Sequence, residues 1–197
     1  LIVHLTGAIV LYFLALTTLT LPILSGKYSK AKEIALLTAL LWAVHPLQTN
    51  GVTYIVQRMT SMASLFFMSS LLCYARGRLA QKRSITQYLL FGCTLLLGLM
   101  AIISKENGYM LPIILFAYEF FFFTDTSRFK DYKKTIVWLI AAASIIILCI
   151  FLFLGPNIFS HILDAYRYRD FPMVQRLLTE SRVFFLYLTL LLLPLSS

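Results

Sequence analysis

Long runs of apolar residues, separated by short polar stretches, extend along the whole chain. A helix needs about 20 apolar residues to cross a bilayer, and continuous runs favour helices over the alternating strands of a membrane barrel. The pattern predicts seven spans: 1–24, 34–45, 52–74, 85–103, 110–123, 136–154 and 183–193. The second, fifth and seventh are short; the second can start near Ser29, and the seventh near Arg176. The predicted fold is therefore an all-α, polytopic membrane helical bundle with about seven transmembrane helices, in one domain that covers 1–197.

The composition supports a membrane protein. Of the 197 residues, 60% are hydrophobic and 13% are charged, and the mean hydropathy is +0.84. Soluble domains are about 45–50% apolar and about 25% charged, so a soluble enzyme is excluded. The chain is too rich in Leu, Ile and Phe to be disordered. Its net charge of +9 is spread over short islands between apolar runs, which excludes a nucleic-acid-binding domain.

The basic residues sort the connections into two groups. Three islands alternate with the other connections and hold 11 of the 17 Lys and Arg residues: Lys27, Lys30 and Lys32; Arg76, Arg78, Lys82 and Arg83; Arg128, Lys130, Lys133 and Lys134. The positive-inside rule makes their side cytoplasmic. The stretches 45–51, 105–108 and 155–182 then face outward. Topology thus explains the positive charge without an acidic partner.

A polar turn follows the second apolar run, at His45, Pro46, Gln48, Thr49 and Asn50. Pro46 disfavours helical geometry at His45 and lacks a backbone donor. Thr49 or Asn50 can cap the next helix. The turn is read either as a plain helix end with a cap, or as the lining of a cavity below the outer surface. An imidazole at membrane depth needs a partner, so His45 is a candidate site residue.

Gln57 and Arg58 are expected about two turns into the third helix from its outer end. Tyr54, Arg58 and Ser61 recur at i, i+4 and i+7, with Ser64 at the edge of the same face. A charge inside a spanning segment is costly and faces a cavity or a partner. Arg58 either extends to the outer headgroups or binds a lipid phosphate, for which a planar guanidinium is suited.

A very short turn joins the fourth and fifth predicted helices and contains Lys105 and Glu106. It is read either as a plain polar turn or as a cationic ligand for phosphate or pyrophosphate, with Glu106 orienting Lys105.

The long outer segment 155–182 is rich in charge. Its ionisable residues are His161, Asp164, Arg167, Arg169, Asp170, Arg176, Glu180 and Arg182. Residues 159–163 predict an interfacial helix, with Tyr166 and Tyr168 at headgroup level. Residues 173–182 predict a helix that leads into the last span, on which Arg176 and Glu180 can pair at i,i+4.

The other polar residues in the spans are interpreted as structural. His4 and Glu119 stand alone in apolar segments, and Glu119 can pair with the basic inner islands. The cysteines, Cys73, Cys93 and Cys149, are expected to be buried hydrophobes. The sequence contains no phosphate-binding glycine loop, metal-ligand spacing or nucleophile motif, so neither a cofactor nor a metal is assigned.

Three stretches resemble, in order, motifs of one class of membrane glycosyltransferases. HPLQTNGVTYIVQRMTSMASLFFMSSLLCYARGR (45–78) resembles the segment that contains HP-x-x-T-[EN]-x-V-x-[YW]-[IV]-x-x-R. SKENGYMLPIILFAYE (104–119) is similar to SKE-x-x-x-x-LP-x-x-L-x-x-YE, and RLLTESRVFFLYLTLLLLP (176–194) to R-x-LT-[EQ]-x-R-V-x-x-x-Y-x-x-L-x-x-x-P. The class comprises bacterial GT-C-type proteins with tetratricopeptide repeats, which are similar to the transmembrane-and-tetratricopeptide O-mannosyltransferases.

The resemblance implies an inverting glycosyltransferase of the bacterial inner membrane. Such enzymes transfer a sugar from a polyprenyl-phosphate donor to a protein or glycan on the periplasmic face. The donor phosphate leaves, so nearby cations stabilise its developing charge. On this sequence the phosphate ligands would be Arg58, Lys105, Arg176 and Arg182. The lining residues would be His45, Gln48, Asn50, Tyr54, Gln57, Glu106 and Glu180.

The chain departs from the class in two respects. The general base of GT-C enzymes is an acidic residue in the first outer loop, and we expect that loop, like the repeats, to lie outside residues 1–197. Since that loop can also carry metal ligands, a divalent metal is not excluded as a cofactor. Asn50 stands where many relatives have Glu, so no acid role transfers to it. The alternative hypothesis is a non-catalytic membrane subunit that binds a lipid-linked phosphate within a larger assembly. A transporter or a purely structural subunit is a further alternative.

Overall fold

A computed structural model describes residues 1–24, 26–49, 51, 54, 57–123 and 173–192. In these ranges the regular structure is helical, without strands. The α-helices are α1 (Ile2–Leu19), α2 (Ala31–Val44), α3 (Arg58–Leu79), α4 (Ile85–Ser104), α5 (Leu111–Phe122) and α6 (Met173–Leu192). A first 3-10 turn covers Pro46–Gln48 and a second 3-10 turn covers Glu106–Met110. The all-α prediction is confirmed for the described part of the chain.

The predicted spans agree with these helices except at some ends. α2 begins at Ala31, near the predicted Ser29, and α6 begins at Met173, which confirms the predicted helix leading into the last span. α1 ends at Leu19 rather than at 24, because Pro22 disfavours helical geometry just before it. The span 136–154 and the interfacial helix 159–163 lie outside the described residues.

Two helices are long and apolar enough to cross a membrane. They are α1 and α4. The buried residues are Gly7 and Leu14 on α1, and Thr94, Gly98 and Ala101 on α4. The core helix of a soluble protein would be mostly buried, so these apolar surfaces indicate association with a membrane. The seven-span bundle remains a prediction.

α2 buries small side chains and exposes large apolar ones. Ala31, Ala35 and Ala39 form its buried face, while Leu37 and Leu41 are 57% and 59% exposed. Small residues at i, i+4 and i+8 permit close approach of a neighbouring helix, which is typical of packing in membranes. The large apolar side chains face outward, where lipid would cover them.

The described helices fall into two units. α1–α5 belong to the first unit, and α6 belongs to the second. In the first unit, α1 packs against α2 and α3, and α3 packs against α4. α6 is a continuous 20-residue helix on which Arg176 Nε lies 3.6 Å from Glu180 Oε1, as predicted from their spacing.

α1 and α2 are antiparallel, and so are α3 and α4. His4, at the start of α1, donates from Nε2 to the carbonyl of Ala43 at the end of α2 (2.9 Å). Gln87, early in α4, donates to the carbonyl of Gly77, late in α3 (3.1 Å). Leu21, just after α1, and Ala75, late in α3, are buried in one cluster, so the islands at 27–32 and 76–83 share one end of the unit, as predicted, and we call it the basic end. The third island lies outside the described residues.

Side chains near the basic end form the largest apolar cluster of the first unit. Leu14, Leu71, Leu72 and Tyr118 are buried there together with Leu21 and Ala75. Thr18 donates its hydroxyl to the carbonyl of Leu14 (2.8 Å) and accepts a hydrogen bond from the Tyr118 hydroxyl (2.7 Å). Polar groups in an apolar setting need such partners, and these bonds fix α5 against α1.

Glu119 joins α5 to α3 at the same end. Its Oε2 accepts hydrogen bonds from Tyr74 Oη and Arg78 Nε, both at 2.8 Å, and its Oε1 lies 2.5 Å from Arg78 Nη2. The Arg78 guanidinium also lies 5.0 Å from the centre of the Phe123 ring. The expectation that Glu119 pairs with a basic inner island is confirmed.

At the opposite end, the second 3-10 turn lies directly on the backbone of α4. A Cβ added at Gly108 would be 2.6 Å from the carbonyl carbon of Ala101 and 2.6 Å from the nitrogen of Ile102. Since only glycine fits there, Gly108 fixes the position of the turn that begins after Lys105.

Gly108→Ala is therefore expected to destabilise the protein, because its methyl group would meet backbone atoms that cannot move aside. The thermal unfolding midpoint in detergent should fall by several degrees. Gly92→Ala is the matched control, since nothing lies within 4 Å of its Cβ, and alanine favours the helix. Equal midpoints for the two variants would contradict the close approach at Gly108.

Glu119→Gln should lower stability by about 1–2 kcal/mol, because the neutral amide loses a charged, two-point bond to Arg78. Chemical unfolding measures the loss. Glu33→Gln, at an exposed position in the first turn of α2, should change stability much less. A Glu119→Gln protein as stable as the parent would argue against the ion pair.

Candidate functional site

The end of the first unit opposite the basic end brings together most of the predicted site residues. The first 3-10 turn, the start of α3 and the second 3-10 turn meet there, and Lys105 links two of these elements. We call this the site end. His45, Gln48, Gln57, Arg58, Lys105 and Glu106 belong to its elements. Asn50 lies outside the described residues.

Pro46 fixes the geometry of His45, as the sequence predicted. His45 has φ −65° and ψ 131°, an extended conformation that ends α2. Its Nδ1 accepts a hydrogen bond from the backbone N–H of Leu47 (3.3 Å). Its Nε2 is buried and has no hydrogen-bond partner among the residues that the structure describes. His45 therefore holds the first 3-10 turn through one nitrogen and has a spare donor on the other.

Arg58 is the first residue of α3, and Gln57 precedes the helix as its N-cap. The prediction that Arg58 lies two turns inside a helix is therefore wrong. The exposed Arg58 side chain lies at a helix end, where its charge does not have to be buried.

Lys105 ends α4 in an extended conformation, with φ −163° and ψ 147°. Its part-buried Nζ donates a hydrogen bond to Thr60 Oγ1 (2.8 Å), and that hydroxyl donates to Gln57 Oε1 (2.9 Å). This chain of hydrogen bonds ties the end of α4 to the first turn of α3. Within the described residues Lys105 has no carboxylate partner, and Glu106 is exposed. The expectation that Glu106 orients Lys105 is wrong, since Thr60 holds it.

A cavity of about 270 Å³ opens beside this chain of hydrogen bonds. We call it the Lys105 cavity. It is lined by Trp42, Gln48, Thr60, Ala63, Ser64, Phe67, Met68, Lys105, Asn107 and Gly108. The lining combines one cation, two carboxamides and two hydroxyls with aromatic and thioether surface.

A second cavity, of about 360 Å³, contains Arg58. We call it the Arg58 cavity. It is lined by Leu1, Ile2, Val3, His4, Gly51, Arg58, Ser61 and Met62. Ser61 donates its hydroxyl to the carbonyl of Gly51 (2.8 Å).

The two cavities correct the predicted polar face of the third helix. Tyr54 precedes α3, so it is not on the helix with Arg58. Arg58 and Ser61 line the Arg58 cavity, whereas Ser64 lines the Lys105 cavity together with Thr60. Residues 60 and 64 share a face at i,i+4, and residues 58 and 61 share the neighbouring face at i,i+3. The predicted single face is therefore two.

Sequence reasoning missed Thr60, Asn107 and Trp42. Thr60 and Ser64 have helical spacing, but only the start of α3 at Arg58 shows which face they share. The bond from Lys105 to Thr60 joins residues 45 positions apart, and no local pattern indicates it. The remaining site candidates, Arg176, Glu180 and Arg182, lie on α6 in the second unit. Of these, Arg176 and Glu180 form the exposed pair described above.

The described residues contain no group of three or more His, Cys, Asp or Glu side chains that could hold a metal ion.

Curated proteins are similar to this chain over part of its length. The protein O-mannosyl-transferase Tmtc3 of Drosophila melanogaster is 33% identical over 99 residues, which are 49% of this chain and 11% of that protein. The protein O-mannosyl-transferase TMTC3 of Mus musculus is 31% identical over 90 residues, 46% of this chain and 10% of that protein. The TMTC3 of Homo sapiens is 32% identical over 87 residues, 44% of this chain and 9% of that protein.

The chain thus spans 9–11% of the length of these curated relatives. No known family profile matches it, and no solved structure matches it.

Thr60→Val should release the Lys105 ammonium group, because valine keeps the shape of the side chain but neither accepts nor donates a hydrogen bond. The rate of acetylation of Lys105 by a water-soluble reagent, followed by mass spectrometry, should rise several-fold. Thr86→Val, at an exposed position in α4, is the control and should leave the rate unchanged. An unchanged rate in Thr60→Val would show that Thr60 does not restrain Lys105.

Proposed function

We propose that this chain is part of a GT-C-type membrane glycosyltransferase that transfers mannose from a polyprenyl-phosphate donor to a protein. The main support is Lys105, a part-buried cation beside a polar cavity, held by a hydroxyl and without a carboxylate partner in the described part of the chain. The relatives are protein O-mannosyl-transferases by name, which suggests the sugar and the acceptor class.

The start of α3 suits a phosphate group. The first N–H groups of a helix lack partners within the helix, and the helix dipole places partial positive charge there. The Gln57 side chain makes no capping hydrogen bond to these groups; its carbonyl oxygen instead accepts from Thr60. Together with Lys105 and Arg58, this terminus would offer an anion both hydrogen-bond donors and charge.

The Arg58 cavity suits the lipid end of such a donor. Its lining combines the guanidinium with the apolar side chains of Leu1, Ile2, Val3 and Met62. A polyprenyl phosphate has the same two components, an apolar chain and an anionic group. The phosphate would lie at the start of α3, within reach of both cations.

These residues would lower the barrier to transfer by stabilising the leaving group. In a single displacement, the acceptor oxygen bonds to the anomeric carbon as the bond to the phosphate oxygen breaks. The phosphate leaves with the bonding electrons, and a base takes the acceptor proton. Negative charge grows on the phosphate, and a fixed cation such as Lys105 interacts more strongly with it in the transition state. The family resemblance suggests an acidic base in an outer loop ahead of Leu1.

The membrane, the orientation within it and the lining residues of the site are proposed from the family resemblance and the charge pattern. We propose that the site end faces the periplasm from a bacterial inner membrane, with the basic end in the cytoplasm. The roles of His45, Gln48, Tyr54 and Glu106 as lining residues are part of the same proposal. Those of Asn50, Arg176, Glu180 and Arg182 rest on the resemblance alone.

Lys105→Met should reduce mannose transfer by about a hundredfold or more, because it removes a preorganised positive charge from the leaving group. The assay uses membranes that contain the full-length protein, radiolabelled polyprenyl-phosphate mannose and a protein acceptor. Lys82→Met, an exposed lysine at the basic end, is the matched control and should retain activity.

Unchanged transfer by the Lys105→Met protein would contradict the proposed site. If the parent binds polyprenyl phosphate and loses this binding on Lys105→Met, yet transfers no sugar, the non-catalytic binding subunit is the better account.

A further inference from the structure

We infer that the Lys105 cavity holds a single pyranose ring and that the Trp42 indole is the surface against which this ring packs. The inference deepens the proposed function and rests on it for the identity of the attached phosphate. It concerns a residue, Trp42, that neither the sequence motifs nor the charges indicate.

The lining of the cavity has the chemistry that recognises a sugar. A pyranose presents hydroxyls around its edge and C–H groups on its faces. Gln48 and Asn107 contribute carboxamides from the two 3-10 turns, and Ser64 contributes a hydroxyl from α3. A carboxamide both donates and accepts, as neighbouring sugar hydroxyls require. Trp42 contributes an electron-rich ring face, which attracts positively polarised C–H groups.

These polar groups are available to a ligand. No hydrogen bond joins the side chains of Gln48, Ser64 or Asn107 to another group in the part of the chain that the structure describes. Lys105 and Thr60, in contrast, are engaged with each other. The cavity thus has a fixed cation at one position and unengaged amide and hydroxyl groups around it.

The indole is held in place before any ligand arrives. The His4 ring stacks on Trp42, with ring centres 4.9 Å apart and an angle of 21° between the planes. His4 is itself fixed by its bond to the carbonyl of Ala43. Gly7 leaves no spare room on α1, since a Cβ there would be 3.2 Å from Trp42 Cη2. A preordered aromatic surface loses little entropy on binding.

The volume of the cavity accommodates about one sugar unit. The Lys105 cavity measures about 270 Å³, just below the range of about 300–1,000 Å³ typical of sites for drug-sized ligands. Of the two stacked rings, Trp42 lines the Lys105 cavity and His4 lines the Arg58 cavity. The sugar and the lipid would therefore lie in two cavities that this stacked pair connects.

The test measures sugar and phosphate binding separately, on the full-length protein in lipid nanodiscs without glycoside detergents. Methyl α-mannoside probes the ring alone, inorganic phosphate probes the cation alone, and mannose 1-phosphate probes both. Trp42→Ala should lower the affinity for methyl α-mannoside and for mannose 1-phosphate by about tenfold or more. Trp42→Phe should lower both affinities by less than about threefold. Tyr88→Ala, an exposed aromatic on α4, is the control and should have no effect.

A spectroscopic readout links the binding to this residue. The 197 residues contain two tryptophans, Trp42 and Trp138, so Trp138→Phe, with any tryptophans elsewhere in the protein also replaced, leaves Trp42 as the reporter. Methyl α-mannoside should change its fluorescence with a saturable dependence. Circular dichroism checks that the Trp42 variants remain folded.

The outcomes separate the inference from the proposed function. If inorganic phosphate binds through Lys105 while methyl α-mannoside leaves Trp42 fluorescence unchanged, the sugar site is overturned and the phosphate site stands. If methyl α-mannoside binds at Trp42 but Lys105→Met leaves phosphate binding unchanged, the inference holds and the proposed phosphate site fails.

Discussion

Close approach through small residues is the constraint on which the first unit depends. In a membrane, lipid tails are as apolar as the side chains, so burying apolar side chains against one another gives little free energy. Helices in membranes therefore associate through close packing and hydrogen bonds. α2 presents three alanines to its neighbours. Gly98 packs on α5, where a Cβ would lie 2.9 Å from Leu111 Cδ2. Ser70 donates to the carbonyl of Thr94 across the interface of α3 and α4 (2.8 Å). These contacts bring the helix ends close enough to form a site.

The two ends of the first unit differ in how their charged side chains are paired. At the basic end, Arg78, Tyr74 and Glu119 form a network in which the carboxylate accepts every bond. At the site end, Lys105 is held by a neutral hydroxyl, and its charge is not matched by a carboxylate in the described part of the chain. A paired charge stabilises the fold, whereas an unpaired cation beside a cavity can attract an anion.

The sequence predicted the helices well because long apolar runs and prolines act locally. The end of α2 at His45 follows from Pro46, and the pairing of Glu119 with Arg78 follows from alternating topology and charge. The start of α3 at Arg58 was missed because an apolar run does not indicate where along it a helix begins. Lys105 bonds to Thr60 rather than to Glu106 because of the way the helices pack. No local pattern in the sequence predicts that packing. Trp42 was missed for the same reason, since an apolar residue in a predicted span gives no sign that it lines a cavity.

The central claim is that the site end holds the phosphosugar of a lipid-linked donor, and imaging the donor in place tests it most directly. The measurement is a cryo-electron microscopy structure of the full-length protein with a non-hydrolysable polyprenyl-phosphate mannose. The account predicts the phosphate within hydrogen-bonding distance of Lys105 Nζ and the sugar ring against Trp42. Donor density elsewhere, with an empty Lys105 cavity, would contradict it.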